Sequence, residues 1–328
     1  MRSAAGERMP LRGAPAARAD PAPQHLRPLE AEYRPRTPVD VVAAIRYQQR
    51  GRHDPTQTTA TDGTIWRATR TPDGVATTAI RVGLQTVRAA AWGPGAAWSL
   101  DQLPRLCGDG DDPAGFDASR HPLIAEAHRR RPGLRIGATD LVFDALASSV
   151  FEQKVTGLQA FGAWRWIVSH YGEPAPGPTP RPMFATPAEW RMIPSWAWHR
   201  AGLEPPQSRT VVAAARRRAS IERAATAATT GDERDAVFTS LPGVGIWTSA
   251  ETRIRAFGDP DAVSFGDYHV AHEVGYALTG KRVDDDGMRE LLEPWRGHRQ
   301  RVIRLIGVSG VHEPRRGPRL HPEDHRNR

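Results

Sequence analysis

Cysteine and lysine are almost missing from this chain. A single cysteine, Cys107, in 328 residues excludes an intramolecular disulfide and a four-cysteine iron–sulfur cluster. Only two lysines occur, Lys154 and Lys281, so chemistry that runs through a lysine imine has two candidates. No apolar run reaches membrane-spanning length, and the first residues lack the apolar core of a signal peptide, which predicts a cytoplasmic protein. Arginine, alanine, proline and glycine abound instead. The formal net charge of +8 suits a polyanionic partner bound in a salt-dependent way, although a GC-rich genome yields the same bias. An apolar content of 39 % over this length is enough for two or three packed cores.

The chain divides by pattern. Residues 1–32 and 312–328 show no periodicity and read as disordered tails. Between 36 and 115 short β-like runs appear at Val39–Tyr47, Thr64–Thr69, Val75–Arg81 and Leu84–Ala91, with Pro72-Asp73-Gly74 as a hairpin turn and a helical stretch at Ala96–Leu106. Gly108–Pro113 is acidic but lacks the bidentate Glu of a calcium loop, and reads as a surface linker. From 120 to 310 the pattern is helical, with expected helices at Leu123–Arg130, Asp140–Val150, Gly157–Tyr171, Pro187–Met192, Ser208–Ala227, Asp232–Ser240, Ile246–Phe257, Tyr268–Leu278, Asp285–Leu292 and Gly297–Gly307. Thr139-Asp140 is the expected cap of the second of these. The fold class is α+β, a small antiparallel sheet lobe followed by a mainly helical region.

The most informative stretch is Leu241-Pro-Gly-Val-Gly-Ile-Trp-Thr248. Phe238 and Leu241 close an apolar turn, Pro242 and Gly243 reverse the chain, and Gly245 precedes the next helix. A glycine-rich turn opening a helix directs unpaired backbone N–H groups outward, where the helix dipole favours a phosphate. Asp267 follows Trp247 by twenty positions, at the start of another helical pattern. It is either a helix cap or a carboxylate placed to stabilise positive charge on a sugar and orient water. Asp261, in the Gly258-Asp-Pro-Asp turn, is the nearest competitor.

Leu241–Thr248 with Asp267, together with Arg131–Arg135, Val150–Thr156 and Pro294–Arg296, resembles the helix-hairpin-helix superfamily of DNA glycosylases, and within it the bacterial 3-methyladenine-DNA glycosylase II family. The likeness covers roughly 120 to 310, and more weakly 36 to 120. It implies a TATA-binding-protein-like sheet lobe of mainly structural role. It also implies release of alkylated bases from duplex DNA by base flipping and Asp267-assisted hydrolysis, by a monomer associated with the nucleoid. Trp247 takes the position at which bifunctional relatives carry the lyase lysine. An indole cannot form an imine but can stack on an extruded base, so a monofunctional enzyme is expected. Trp295, Tyr268, Gln153 and Glu251 are the further base-pocket candidates, Glu251 either favouring cationic bases or pairing with Arg253 or Arg255. Pro242, Gly243, Val244, Gly245 and Thr248 are expected to hold the DNA backbone, and Lys154 to fill the gap left by the flipped nucleotide. No organic cofactor or catalytic metal is expected; a monovalent cation bridging hairpin carbonyls and phosphate is. His269 and His272 share a helix face but have no third ligand. A non-catalytic DNA-binding module and a glycosylase for oxidised or deaminated bases remain the other readings.

Overall fold

The computed structural model describes residues 27–314; most of the two expected tails lies outside them. Strands β1 (Leu29–Tyr33), β2 (Gln57–Thr59), β3 (Ile65–Thr71), β4 (Gly74–Val82) and β5 (Val87–Trp92) form one antiparallel sheet in the order β1-β5-β4-β3-β2. Helices α1 (Val41–Arg46), α2 (Ala96–Asp101) and α3 (Leu103–Leu106) complete this lobe. Its core joins Val41 and Ile45 of α1 to Ile65, Ile80 and Val87 of the sheet and to Leu103, Leu106 and Cys107. The sheet lobe was thus expected, but two details differ. The end of the expected N-terminal tail is β1, and Val39–Tyr47 is a helix rather than a strand. Asp40 accepts a hydrogen bond from the Ala43 N–H, capping α1, and Val41, Ala44 and Ile45 are buried at helical spacing.

The rest is mainly helical, with α4 (Pro122–Arg130), α5 (Val142–Phe151), α6 (Gly157–Tyr171), α7 (Ser195–Ala201), α8 (Pro205–Arg216), α9 (Arg218–Ala227), α10 (Gly231–Thr239), α11 (Ile246–Phe257), α12 (Val270–Thr279), α13 (Asp285–Leu292) and α14 (Arg299–Ser309), and one two-stranded antiparallel pair, Glu173–Pro174 with Phe184–Ala185. Three spans, α6, α11 and α13, coincide with the sequence expectation. The expected helix at 208–227 is two, broken at Arg217. The last helix runs past Gly307 to Gly310, whose φ of 85° ends it. The expected cap Asp140 sits instead at φ 55° and pairs with Arg105 at 2.7 Å. None of the described helices is long and apolar enough to cross a membrane.

The helices pack around two cores. One gathers α5 to α10 with Leu241 and Val244 of the hairpin, and includes Phe151, Trp164, Trp190 and Trp198 in edge and stacked contacts. The other gathers α4, α12, α13 and α14 around Val274, Met288, Leu292 and Val302. The expected surface linker 108–113 exposes Asp109, Gly110, Asp112 and Pro113 but sends Asp111 inward. Asp111 is fully buried and accepts hydrogen bonds from the Arg301 guanidinium at 3.0 and 2.5 Å and from the Ile136 N–H at 2.9 Å, latching the lobe junction to α14.

Candidate active site

The hairpin joins α10 to α11 across residues 240–245. Phe238 and Leu241 are buried in the first core, Val244 N–H donates to Leu241 O, and Gly243 turns the chain at φ 85°. A Cβ at Gly243 would stand 2.1 Å from the Thr210 Oγ1 of α8, so the position demands glycine twice over. Gly245, the N-cap of α11, has open space where a Cβ would be and offers no side-chain cap. The first amide groups of α11 thus lack intrahelical partners at the positive end of the helix dipole, with Pro242, Gly243 and Gly245 exposed beside them.

Asp267 stands across from this turn, in the segment leading into α12. Its Oδ1 accepts the N–H groups of His269 at 2.8 Å and Val270 at 3.1 Å, and its Oδ2 accepts the Trp247 indole N–H at 3.0 Å. One oxygen therefore caps the helix while the other meets Trp247. Both residues are half-buried, where the hairpin of the first core meets α12 of the second. Asp261 is excluded as a competitor, since Arg299 pairs with it at 2.5 Å and it caps α14.

Trp295 is buried in the second core and its indole N–H donates to Asp117 O at 2.8 Å; it is a packing residue, not a cleft wall. Tyr268 is 75 % exposed and meets His269 and His272 edge-on, at the rim of the site. Gln153 directs its amide to Gly243 O at 2.9 Å and to Thr248 Oγ1 at 2.8 Å, so it fastens the α5–α6 turn to the hairpin. Thr248 is buried, with its hydroxyl committed to that contact. Lys154, next in the turn, is exposed and held at φ 55°, an uncommon conformation for a residue with a side chain.

Glu251 lies one turn after Trp247. Its Oε1 accepts the Ser264 hydroxyl at 2.5 Å, and its Oε2 is 3.4 Å from Arg255, the partner named among the alternatives. Arg255 also reaches Glu152 at 3.6 Å and donates to Tyr47 O of the sheet lobe at 3.0 Å. Arg304 of α14 lies 3.8 Å from the Tyr47 ring centroid. Burial pushes the Glu251 carboxyl above the usual carboxylate range, and likewise raises the Tyr47 phenol. His269 and His272 gain no third ligand; no group of three metal-ligating side chains occurs among the described residues.

Sequence reasoning missed two supports. The Gln207 amide of α8 donates to Gln153 O at 3.0 Å, with Val150 O and Phe151 O each 3.4 Å away, and the Thr210 hydroxyl lies between Pro206 O of its own helix at 3.0 Å and Pro242 O of the hairpin at 3.3 Å. One helix thereby positions both the turn at 152–156 and the hairpin. The only local signal was the Glu204–Gln207 capping box.

No protein-family model matches this sequence, and no curated protein matches it. Solved structures do. The 3-methyladenine DNA-glycosylase of Archaeoglobus fulgidus superposes with a TM-score of 0.71 at 16 % identity, covering 85 % of this chain and 98 % of that one. The 8-oxoguanine glycosylase/lyase of Clostridium acetobutylicum superposes in its apo form with a TM-score of 0.63 at 12 % identity, covering 82 % and 92 %. The same enzyme in complex with double-stranded DNA gives 0.61 at 12 %, covering 81 % and 91 %.

Proposed function

We propose that this chain, which has the fold of the helix-hairpin-helix DNA glycosylases, is a monofunctional DNA N-glycosylase that releases alkylated bases from duplex DNA for base-excision repair. The observation that carries this reading is the Trp247–Asp267 contact at the end of an anion-binding hairpin. Breaking an N-glycosidic bond builds positive charge on the deoxyribose, and a carboxylate fixed beside it stabilises that charge. Asp267, fixed on one side by two backbone amides and on the other by an indole, has little freedom to turn away. The amides opening α11, with Pro242, Gly243, Val244 and Gly245, grip a DNA phosphate, which sets the nucleotide's register. Trp247 offers its face to the extruded base. No amine stands in its place: Lys154 is at the α5–α6 turn and Lys281 follows α12, so strand nicking through an imine is not expected. Lys154, exposed at the tip of a braced turn, enters the gap that flipping leaves, its methylenes filling space and its ammonium reaching a phosphate. A monovalent cation held by carbonyls of this hairpin belongs to the same reading.

Duplexes carrying 3-methyladenine, hypoxanthine, uracil or 8-oxoguanine, incubated with and without alkali, test the proposal. The expected result is release of 3-methyladenine by the wild type, strand scission only after alkali, and at least a hundredfold loss in Asp267→Asn. Undiminished release by that variant refutes the mechanism, scission without alkali refutes monofunctionality, and binding without release leaves a DNA-binding module.

A further inference from the structure

We propose that Glu251 is the general acid for the departing base, passing a proton to a ring nitrogen of a neutral purine as the C1′–N bond breaks; this rests on the glycosylase reading above. The argument begins from position. Glu251 follows Trp247 by one helical turn, so the two share a face of α11. Its bond to Ser264, three residues before Asp267, ties it to the same wall that carries Asp267. A base stacked on Trp247 therefore has Asp267 toward its sugar and Glu251 along its edge. The Glu251 side chain is 13 % exposed, so it is mostly buried without being fully sealed.

The surrounding charges decide its state. Around Glu251 stand the carboxylates Glu152, at the end of α5, and Asp267, and the guanidiniums Arg255 and Arg304, with the buried Arg50 beside Glu152 and Arg255. Arg255 divides itself between Glu152 at 3.6 Å and Glu251 at 3.4 Å, both longer than a well-formed charge-assisted bond, and its buried Nε has no partner. Arg304 is stacked on Tyr47, whose phenol is kept neutral by burial. Asp267 is met by N–H donors alone, whereas Glu251 receives a hydroxyl that can reverse its role and accept. Burial is the largest influence on Glu251 and favours the protonated form; Glu152 and Asp267 push the same way, while Arg255 and Ser264 oppose them.

A cationic lesion such as 3-methyladenine leaves as a neutral base and needs no proton. A neutral purine such as hypoxanthine leaves as an anion unless protonated. Transfer from Glu251 lets the bonding pair of C1′–N settle on the base. Water then adds its oxygen to C1′, and the proton it sheds returns through Asp267 or solvent to Glu251. The sum places the hydroxyl of water on the deoxyribose and its hydrogen on the base.

Single-turnover release of hypoxanthine and of 3-methyladenine is compared in wild type, Glu251→Gln and Asp267→Asn across pH. Glutamine keeps an acceptor for Ser264 but has no acidic proton. Glu251→Gln is expected to lose hypoxanthine release by at least about a hundredfold while keeping 3-methyladenine release within a few-fold, and Asp267→Asn to lose both. In wild type the hypoxanthine rate falls about tenfold per pH unit once pH passes the Glu251 titration, because the acid must be protonated, while the 3-methyladenine rate shows no such fall. Equal loss of both bases in Glu251→Gln, or of neither, overturns the inference. So does a wild-type hypoxanthine rate without that fall, even if the variant does not fold. Wild-type release of 3-methyladenine but not hypoxanthine overturns it while the glycosylase reading stands; release of neither removes both.

Discussion

Replacing Trp247 with phenylalanine keeps a smaller aromatic face and deletes the indole N–H with its 3.0 Å bond to Asp267 Oδ2. The other carboxylate oxygen keeps its bonds from the His269 and Val270 amides, so the group is loosened and not lost. A hydrogen bond to a charged group contributes roughly 1.5–3 kcal/mol when well desolvated. Asp267 is half-buried, which places the effect at the lower end, about 1.5 kcal/mol, or roughly tenfold in rate. The oxygen that the indole holds is the one free to face the sugar, so the loss falls on the chemical step. Single-turnover kinetics on a 3-methyladenine duplex should therefore show a rate lowered about tenfold with little change in the concentration for half-saturation. Trp247→Ala, which also removes the stacking face, should weaken both. An unchanged single-turnover rate in Trp247→Phe, or an effect confined to binding, would show that the indole does not orient the carboxylate.

Two further substitutions probe the framework. Asp111→Ala strands the Arg301 guanidinium, 3 % exposed, and frees the Ile136 N–H; urea unfolding should report a loss of about 3–5 kcal/mol, much of it regained by adding Arg301→Met, and a loss below 1 kcal/mol would contradict the latch. Gln153→Ala removes the ties to Gly243 and Thr248 and should weaken binding of undamaged and damaged duplex alike by about three- to tenfold, as read by fluorescence anisotropy; a selective loss on damaged DNA would return Gln153 to base recognition.

Those features that local chemistry dictates were legible. Leu241 and Gly243 specify the hairpin because a buried apolar residue and a left-handed turn are each local demands, and α6, α11 and α13 follow from periodicity over whole turns. The strand β1 was invisible because its side chains are mostly exposed and its pattern is completed only by β5. Helix α1 is too short for its spacing to be told from alternation without its Asp40 cap. Trp295 matched a pocket position by resemblance, yet the apolar shell of α12 to α14 claims it, a tertiary preference with no local trace. Gln207 and Thr210 act on partners 54 and 32 positions away, and no single-chain pattern announces that.

Tyr47 and Arg304 lie 257 positions apart in the chain and meet face to face, with Arg255 between the sheet lobe and the hairpin helix. Loop closure on that scale is slow and comes late. Arg255 of α11 ties the lobe directly through Tyr47 O, and Arg304 of α14 adds to that tie by covering the Tyr47 ring.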